Sequence, residues 1–518
     1  MAQSIDNTLA AKIGGRLLAG FDGLTPPDYI LEWLAQGRIG GVILFARNVE
    51  TPAQVAALTR ACHDAAPAPI LIGIDQEGGT VARLRHGFTE SPGALALGAA
   101  GSEALAEAMT RVLATEMRAV GINWTYAPVV DVTHDIHNAS VGTRSPGMDA
   151  VLVSRMGAAQ ARGFAAGGVA ATAKHFPGLG NTPVDTHDAL AVIDGPLDYL
   201  YANDLMPFRT AVAAGVPAVM ISHVKFPALD PDYPATLSPA LTTGLLRETI
   251  GFQGVACTDC LEMRAITDNF GAGESAVLAA LAGADVLLFS HTRELQAAAY
   301  DALLAAAHSG RLPTQQIDTA AARVWSLKQA YALRDQPPLG VIRAPEHLEI
   351  AARAARAGVV LLKGDLPLNL SVGKVGLVEF VQRRDSAVME HGKSVETTPL
   401  AAQLAAHIPG LVTATVPPGD DAAGAGARAL AETVETLIVA TRSAHLDPDQ
   451  FAGARRLLES SRRTVLLCLR NPYDAGALPA ADVILCTCGD SAPSITAAVD
   501  ALRGVFTPTG RLPVEVAG

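Results

Sequence analysis

The stretch Val169-Ala-Ala-Thr-Ala-Lys-His175 sets the pattern from which the fold is read. A short apolar run, with no polar alternation, ends abruptly in two polar side chains. Continuous hydrophobicity implies burial on both faces, as in a parallel strand covered by helices. Working outward, the same pattern recurs at 16–21, 41–46, 69–74, 122–130, 218–222, 254–258 and 285–289, which with 169–173 makes eight runs. Each is bounded by Gly or Pro and followed by helical periodicity, as at 102–120 and 274–282. Eight strand–helix units predict an α/β fold whose first part, residues 1–334, is a (β/α)8 TIM-type barrel.

A helix over 317–333, with Asp318 as its N-cap, closes that part. Asp335-Gln-Pro-Pro-Leu-Gly340 then reads as a break, so residues 335–345 are expected to form a linker. Beyond it, strands are expected at 359–363, 374–380, 411–416, 436–441, 464–469 and 482–487, with Ala-rich helices at 421–435 and 448–460. This pattern predicts a C-terminal domain, residues 346–518, built as an open α/β sandwich.

Composition narrows the function classes. Of 518 residues, 49% are hydrophobic and 17% charged, which supplies a large core and excludes a disordered chain, a coiled coil and a disulfide-stapled miniprotein. A net charge of −12 without a basic run argues against nucleic acid or an anionic membrane as partner. No window approaches the ~20 unbroken apolar residues of a membrane span. Residues 1–11 are polar and lack the basic-then-apolar order of a secretory signal, so a cytoplasmic location is expected. The six cysteines include a CxxC at Cys257–Cys260 and a CxC at Cys486–Cys488. Neither has a second pair or histidines at ligand spacing, so they read as core thiols and no metal site is expected.

The ends of the eight runs carry the chemistry. Asp22, Arg47 and Asn48, Asp75, Asp131, Lys174 and His175, His223, Asp259, and Ser290 with His291 follow them in order. In a barrel all strand C-termini open onto one face, where catalysis sits. The densest segment runs from Lys174 to His187 and holds Gly, Pro, two His, a Lys and Asp185. Asp185 and His187, two residues apart in a loop, can pair so that the carboxylate fixes one imidazole nitrogen and leaves the other to exchange a proton. Asp259 ends the run Gly254-Val-Ala-Cys-Thr-Asp259 and faces the same mouth, as a nucleophile, base, metal ligand or ion-pair partner. Asp75 opens a Gly-rich loop that also carries Arg83, which can brace the loop or a ligand oxygen. Arg144 is a further loop charge, and isolated arginines are usually solvated.

Six motifs together resemble glycoside hydrolase family 3, and within it the bacterial β-N-acetylglucosaminidases. They are Gly40-Gly-Val-Ile-Leu-Phe45, Ile74-Asp-Gln-Glu-Gly-Gly79, Ala127-Pro-Val-Val-Asp131, Lys174-His-Phe-Pro-Gly178, Asp185-Thr-His187 and Thr258-Asp-Cys-Leu-Glu-Met263, in the family's order. Arg470-Asn-Pro-Tyr-Asp474 and Gly510-Arg-Leu-Pro-Val514 are similar to the family's second domain. The resemblance implies a retaining exo-acting glycosidase with Asp259 as nucleophile and His187, paired with Asp185, as acid/base. It implies that Asp75, Arg83, Arg144, Lys174 and His175 bind the sugar. No cofactor is implied, the partner is a carbohydrate such as a cell-wall muropeptide, and the chain is a monomer or homodimer. Leu179, Thr186 and Cys260 depart from the residues usual at those positions. Two alternatives stay open: a phosphorylase of the same fold, and a β-glucosidase or β-xylosidase.

Overall fold

The computed structural model describes residues 8–516 apart from 334, 371–372, 382–398 and 461. Eight parallel strands form one sheet: β1 (Leu17–Ala19), β2 (Gly41–Leu44), β3 (Leu71–Ile74), β4 (Trp124–Thr125), β5 (Thr172–Phe176), β6 (Ala218–Ile221), β7 (Val255–Cys260) and β8 (Val286–Phe289). The order is β4-β3-β2-β1-β8-β7-β6-β5. Isolated parallel bridges Trp124–Ala170 and Val129–Lys174 join the two edges, so the barrel is nearly closed. Each expected run overlaps one of these strands, and β5 and β7 extend beyond theirs, to Phe176 and Cys260. The run 122–130 shrinks most: its ladder is Trp124–Thr125, and past it single backbone hydrogen bonds, from Tyr126 N–H to the Ile74 carbonyl and from Val130 N–H to the Lys174 carbonyl, carry the pairing on.

The strands alternate between two apolar environments. Leu18, Ile43, Leu71, Met220, Cys257 and Leu288 pack inside the barrel, where Val324, Leu327 and Tyr331 close its lower end. Leu17, Ala19, Val42, Leu44 and Ile72 pack outward against the helical shell. Burial on both faces is why the runs lack polar alternation. The shell helices include Glu103–Ala119, N-capped by Ser102, and Ala272–Ala282. The closing helix starts earlier than expected, spanning Thr314–Tyr331 with Pro313 at the N-cap position. Asp318 is therefore not a cap. It lies inside the helix and pairs with Lys12 at 2.7 Å.

The chain between 335 and 345 lies against the barrel. Arg343 N–H donates to Glu116 Oε1 at 2.9 Å, and His347 Nδ1 lies 2.8 Å from the same oxygen. A second sheet follows: β9 (Val360–Lys363), β10 (Val375–Phe380), β11 (Val412–Val416), β12 (Thr436–Thr441), β13 (Arg463–Cys468) and β14 (Val483–Cys486). Its order is β9-β14-β13-β12-β10-β11, parallel except for the antiparallel edge strand β9. Val378, Val439 and Leu466 face one helical layer, and Leu377, Ile438 and Leu467 the other. Helices Asp421–Glu432 and Pro448–Ser460 fall where periodicity placed them. No helix among the described residues is long and apolar enough to cross a membrane.

Candidate active site

The C-terminal ends of the barrel strands gather a buried set of charges. Asp75 follows β3, and the extended step Gln76–Gly78 turns Glu77 to the same side. Lys174, from β5, places Nζ 2.7 Å from Asp75 Oδ1 and 2.6 Å from Glu77 Oε1. Arg144 donates from Nε and Nη2 to the two Glu77 oxygens, each at 2.8 Å, and from Nη1 to the Ser140 carbonyl at 2.7 Å. Arg83 Nη2 lies 3.6 Å from Asp75 Oδ2. Burial pushes the Glu77 carboxyl up, but Arg144 and Lys174 outweigh it and hold the group well below its ordinary value. Burial likewise lowers Lys174, and Asp75 with Glu77 reverse the effect and hold its ammonium above the usual lysine value. Arg144 is buried in this network, not solvated as an isolated loop arginine would be.

His175 is oriented from behind. Asp131 Oδ2 lies 2.7 Å from His175 Nδ1, and Asp131 Oδ1 accepts from the N–H groups of His175 (3.1 Å) and Leu179 (2.8 Å). With a carboxylate at Nδ1, that nitrogen carries the proton, and Nε2 accepts from Arg144 Nη2 at 3.2 Å. The loop beyond is drawn tight by glycine. Gly178 has φ +138°, and a Cβ at Gly180 would stand 1.7 Å from the Val132 carbonyl oxygen. The apolar Leu179 side chain is buried, so at this position the backbone N–H, bound to Asp131, is the polar contribution.

The same loop returns with the expected dyad. Asp185 Oδ1 lies 2.7 Å from His187 Nδ1 and accepts the His187 backbone N–H at 2.9 Å. Asp259 stands near the end of β7, with Oδ1 accepting the Cys260 N–H at 2.7 Å. Burial raises the Asp259 carboxyl. The facing imidazoles of His223, His175 and His187 and the Cys260 N–H outweigh it, so the group sits below its ordinary value. His223, fully buried, has Nε2 2.8 Å from the Cys260 carbonyl and Nδ1 2.7 Å from Thr236 Oγ1. It thereby fixes the backbone next to Asp259. Burial lowers its pKa, against the opposing pull of Asp259.

A cavity of about 330 Å³ unites these groups. Asp75, Arg83, Arg144, Lys174, His175, His187 and Asp259 all line it, and Asp185 stands behind His187. Ile43, Phe45, Tyr126, Met220 and Leu288 supply apolar wall. The arrangement offers one carboxylate ready as an anion, one imidazole with a held Nδ1 and a free Nε2, and cations and carboxylates that can bind several hydroxyls. Among the described residues no cluster of three or more metal-ligating side chains occurs.

Sequence reasoning passed over four supporting groups: Glu77, Asp131 and His223, described above, and Glu262. Glu262 accepts from the N–H groups of His291 and Thr292, both at 2.9 Å, and pins the turn after β8. Asp131 and His223 were visible as strand-end polar residues, but their partners lie far away in the chain. Other strand-end residues serve structure: Asn48 Nδ2 donates to the carbonyls of Phe21 and Gly23, and Asp22 pairs with Arg47. The second sheet reaches this face too. Asn471 stands against Gly142, and Met148 N–H donates to the Pro513 carbonyl at 3.0 Å, bracing the segment that carries Arg144.

Comparison with known proteins agrees with this architecture. Residues 9–327 match the model of the glycosyl hydrolase family 3 N-terminal domain. A β-hexosaminidase A of Pseudoalteromonas piscicida is 33% identical over 387 residues, 68% of this chain and 64% of the relative, so the chain spans less than two thirds of that protein. A β-hexosaminidase of Stenotrophomonas maltophilia (strain R551-3) is 40% identical over 282 residues, 53% of this chain and 83% of the relative. The structure of a family 3 β-N-acetylglucosaminidase from Paenibacillus sp. str. FPU-7 superposes with a TM-score of 0.92 at 37% identity, covering 98% of this chain and 99% of that one. With a barrel matched over nearly its whole length and both sheets shared with a solved member, this chain belongs to glycosyl hydrolase family 3.

Proposed function

We propose that this protein is a retaining, exo-acting β-N-acetylglucosaminidase in which Asp259 is the nucleophile and His187, held by Asp185, is the acid/base. The observation that carries the reading is that Asp259 and His187 line one cavity together with the buried charges Asp75, Arg83, Arg144 and Lys174. The names of the relatives, hexosaminidases and an N-acetylglucosaminidase, support the sugar class.

Cleavage through an oxocarbenium-like transition state needs negative charge beneath the ring and a proton beside the leaving oxygen. Asp259 attacks C1 as the bond from C1 to the leaving oxygen breaks, and His187 Nε2 gives that oxygen its proton. A glycosyl ester on Asp259 results. Neutral His187 then takes a proton from water as the water oxygen attacks C1, and the Asp259–C1 bond breaks. The Asp185 carboxylate stabilises the imidazolium form and fixes the ring through Nδ1. Lys174, Arg83, Arg144 and Asp75 orient the sugar hydroxyls, which contributes through geometry. His175 adds a positioned imidazole. The substrates are oligosaccharides ending in β-linked N-acetylglucosamine, cell-wall muropeptides of the cytoplasm among them.

The reading is tested with 4-nitrophenyl β-glycosides of N-acetylglucosamine, glucose and xylose, with and without inorganic phosphate. The N-acetylglucosaminide is expected to have the highest kcat/KM and to yield the free sugar. Faster turnover of the glucoside or xyloside would overturn the sugar class, and a sugar 1-phosphate product would make the protein a phosphorylase.

A further inference from the structure

The opposite end of the barrel holds a second cavity, of about 160 Å³. It lies where the chain enters the first three strands: Gly15, Gly40 and Ile70 line it just ahead of β1, β2 and β3. The active-site groups sit at the other ends of these strands. Val324 and Trp325, from the helix that closes the barrel, complete its apolar wall. Among the described residues no Asp or Glu lines this cavity, and its charged residues are Lys12 and Lys328.

These two lysines differ. Lys12 is neutralised by Asp318 at 2.7 Å. Lys328 is 8% exposed and, among the described residues, its ammonium has no carboxylate or hydrogen-bond acceptor. An ammonium on a side chain largely withdrawn from water, with no carboxylate beside it, is costly to keep. Burial accordingly lowers its pKa to about 8, which still leaves it mostly charged at neutral pH. A bound anion would relieve that cost. The wall selects which anion: with Lys12 already paired to Asp318, the single uncompensated cation beside Ile39, Ile70, Val324 and Trp325 suits a single charge on an apolar body.

We propose that the base of the barrel binds a small apolar monocarboxylate, its carboxylate paired with Lys328 and its tail against Val324, Trp325 and Ile70. The proposal is independent of the glycosidase reading. Benzoate and hexanoate are the probes, benzamide and hexanamide their neutral counterparts, and binding to the full chain is followed by ligand-detected NMR titration. Saturable binding of the carboxylates is expected, with each amide at least about tenfold weaker. Lys328→Met should lose at least about tenfold in carboxylate affinity while remaining folded, because it removes an unpaired buried charge. Ala321 also lines the cavity, and Ala321→Leu keeps the ammonium but fills the space, so it should abolish binding as well. Equal binding of acid and amide, full carboxylate affinity in either variant, or no saturable binding to the folded wild type would overturn the proposal.

Discussion

Lys174 Nζ stands 2.6 Å from Glu77 Oε1, with the two side chains 2% and 4% exposed. Glu77 also receives both prongs of Arg144, so a single carboxylate orders two cations at the cavity edge. The group is held by mutual neutralisation in a buried site, and removing the Glu77 charge leaves Arg144 without its carboxylate and Lys174 with Asp75 alone. Glu77→Gln is therefore expected to cost about 3–5 kcal/mol of stability. Chemical denaturation checks this, and a loss under about 1 kcal/mol would place the pair in the range of surface bridges. On the proposed mechanism the same variant should raise KM more than it lowers kcat, since the cations it releases orient the sugar and take no part in proton transfer.

The pH dependence of stability follows from the same groups. Glu77 is held below its ordinary value of 4.5, so its contribution is complete above that pH and is lost as pH falls toward its lower folded value. Asp259, held below 3.8, acts in the same direction. Lys174 is held above 10.5, so its contribution is complete below that pH and is lost as pH rises past it. Thermal melts should therefore show a plateau bounded by an acid fall and an alkaline fall. The acid fall should shrink in Glu77→Gln.

Proton transfer by His187 is separable from nucleophilic attack. His187→Ala should lower kcat/KM by about 10²–10⁴ for an N-acetylglucosaminide with a poor leaving group. A 2,4-dinitrophenyl glycoside needs little protonation to depart, and the loss at its glycosylation step should be much smaller. Equal losses for both leaving groups would show that His187 positions the substrate but donates no proton. Asp185→Asn keeps an acceptor for Nδ1 but removes the charge, so its loss should fall between wild type and His187→Ala.

Asp131 tests the support behind His175. Its two oxygens accept three donors, the Nδ1–H and N–H of His175 and the N–H of Leu179. An amide in its place turns an NH2 toward one of these donors. Asp131→Asn should cost about 1–3 kcal/mol of stability through the unsatisfied groups and should raise KM by loosening His175. Unchanged stability and KM together would contradict the assigned orientation of the ring.

The barrel was legible because its strands are buried on both faces, which leaves an unbroken apolar run at each. Asp259 and the Asp185–His187 pair were legible because a strand end or a two-residue spacing suffices to place them. Glu77 was not, because its meaning depends on Arg144 and Lys174, which only folding brings to it. Arg144 on its own read as a surface charge for the same reason, and only the family resemblance placed it at the sugar. Asp318 looked like a helix start because its side chain is a good cap, but Pro313 begins the helix a turn earlier. The run 122–130 looked like a full strand because hydrophobicity does not register how few of its residues enter a regular ladder. Local patterns thus located Asp259 and the Asp185–His187 pair, and the groups that hold the site became visible only in three dimensions.

The central claim is that Asp259 attacks the anomeric carbon with His187 assisting from the same cavity. The most direct measurement is to trap the enzyme with a 5-fluoro N-acetylglucosaminide and map the labelled peptide by mass spectrometry. The account predicts one glycosyl unit per chain, on Asp259, with slow release of the β-configured sugar. A label on another residue, or turnover that inverts the anomeric centre with no covalent adduct, would contradict it.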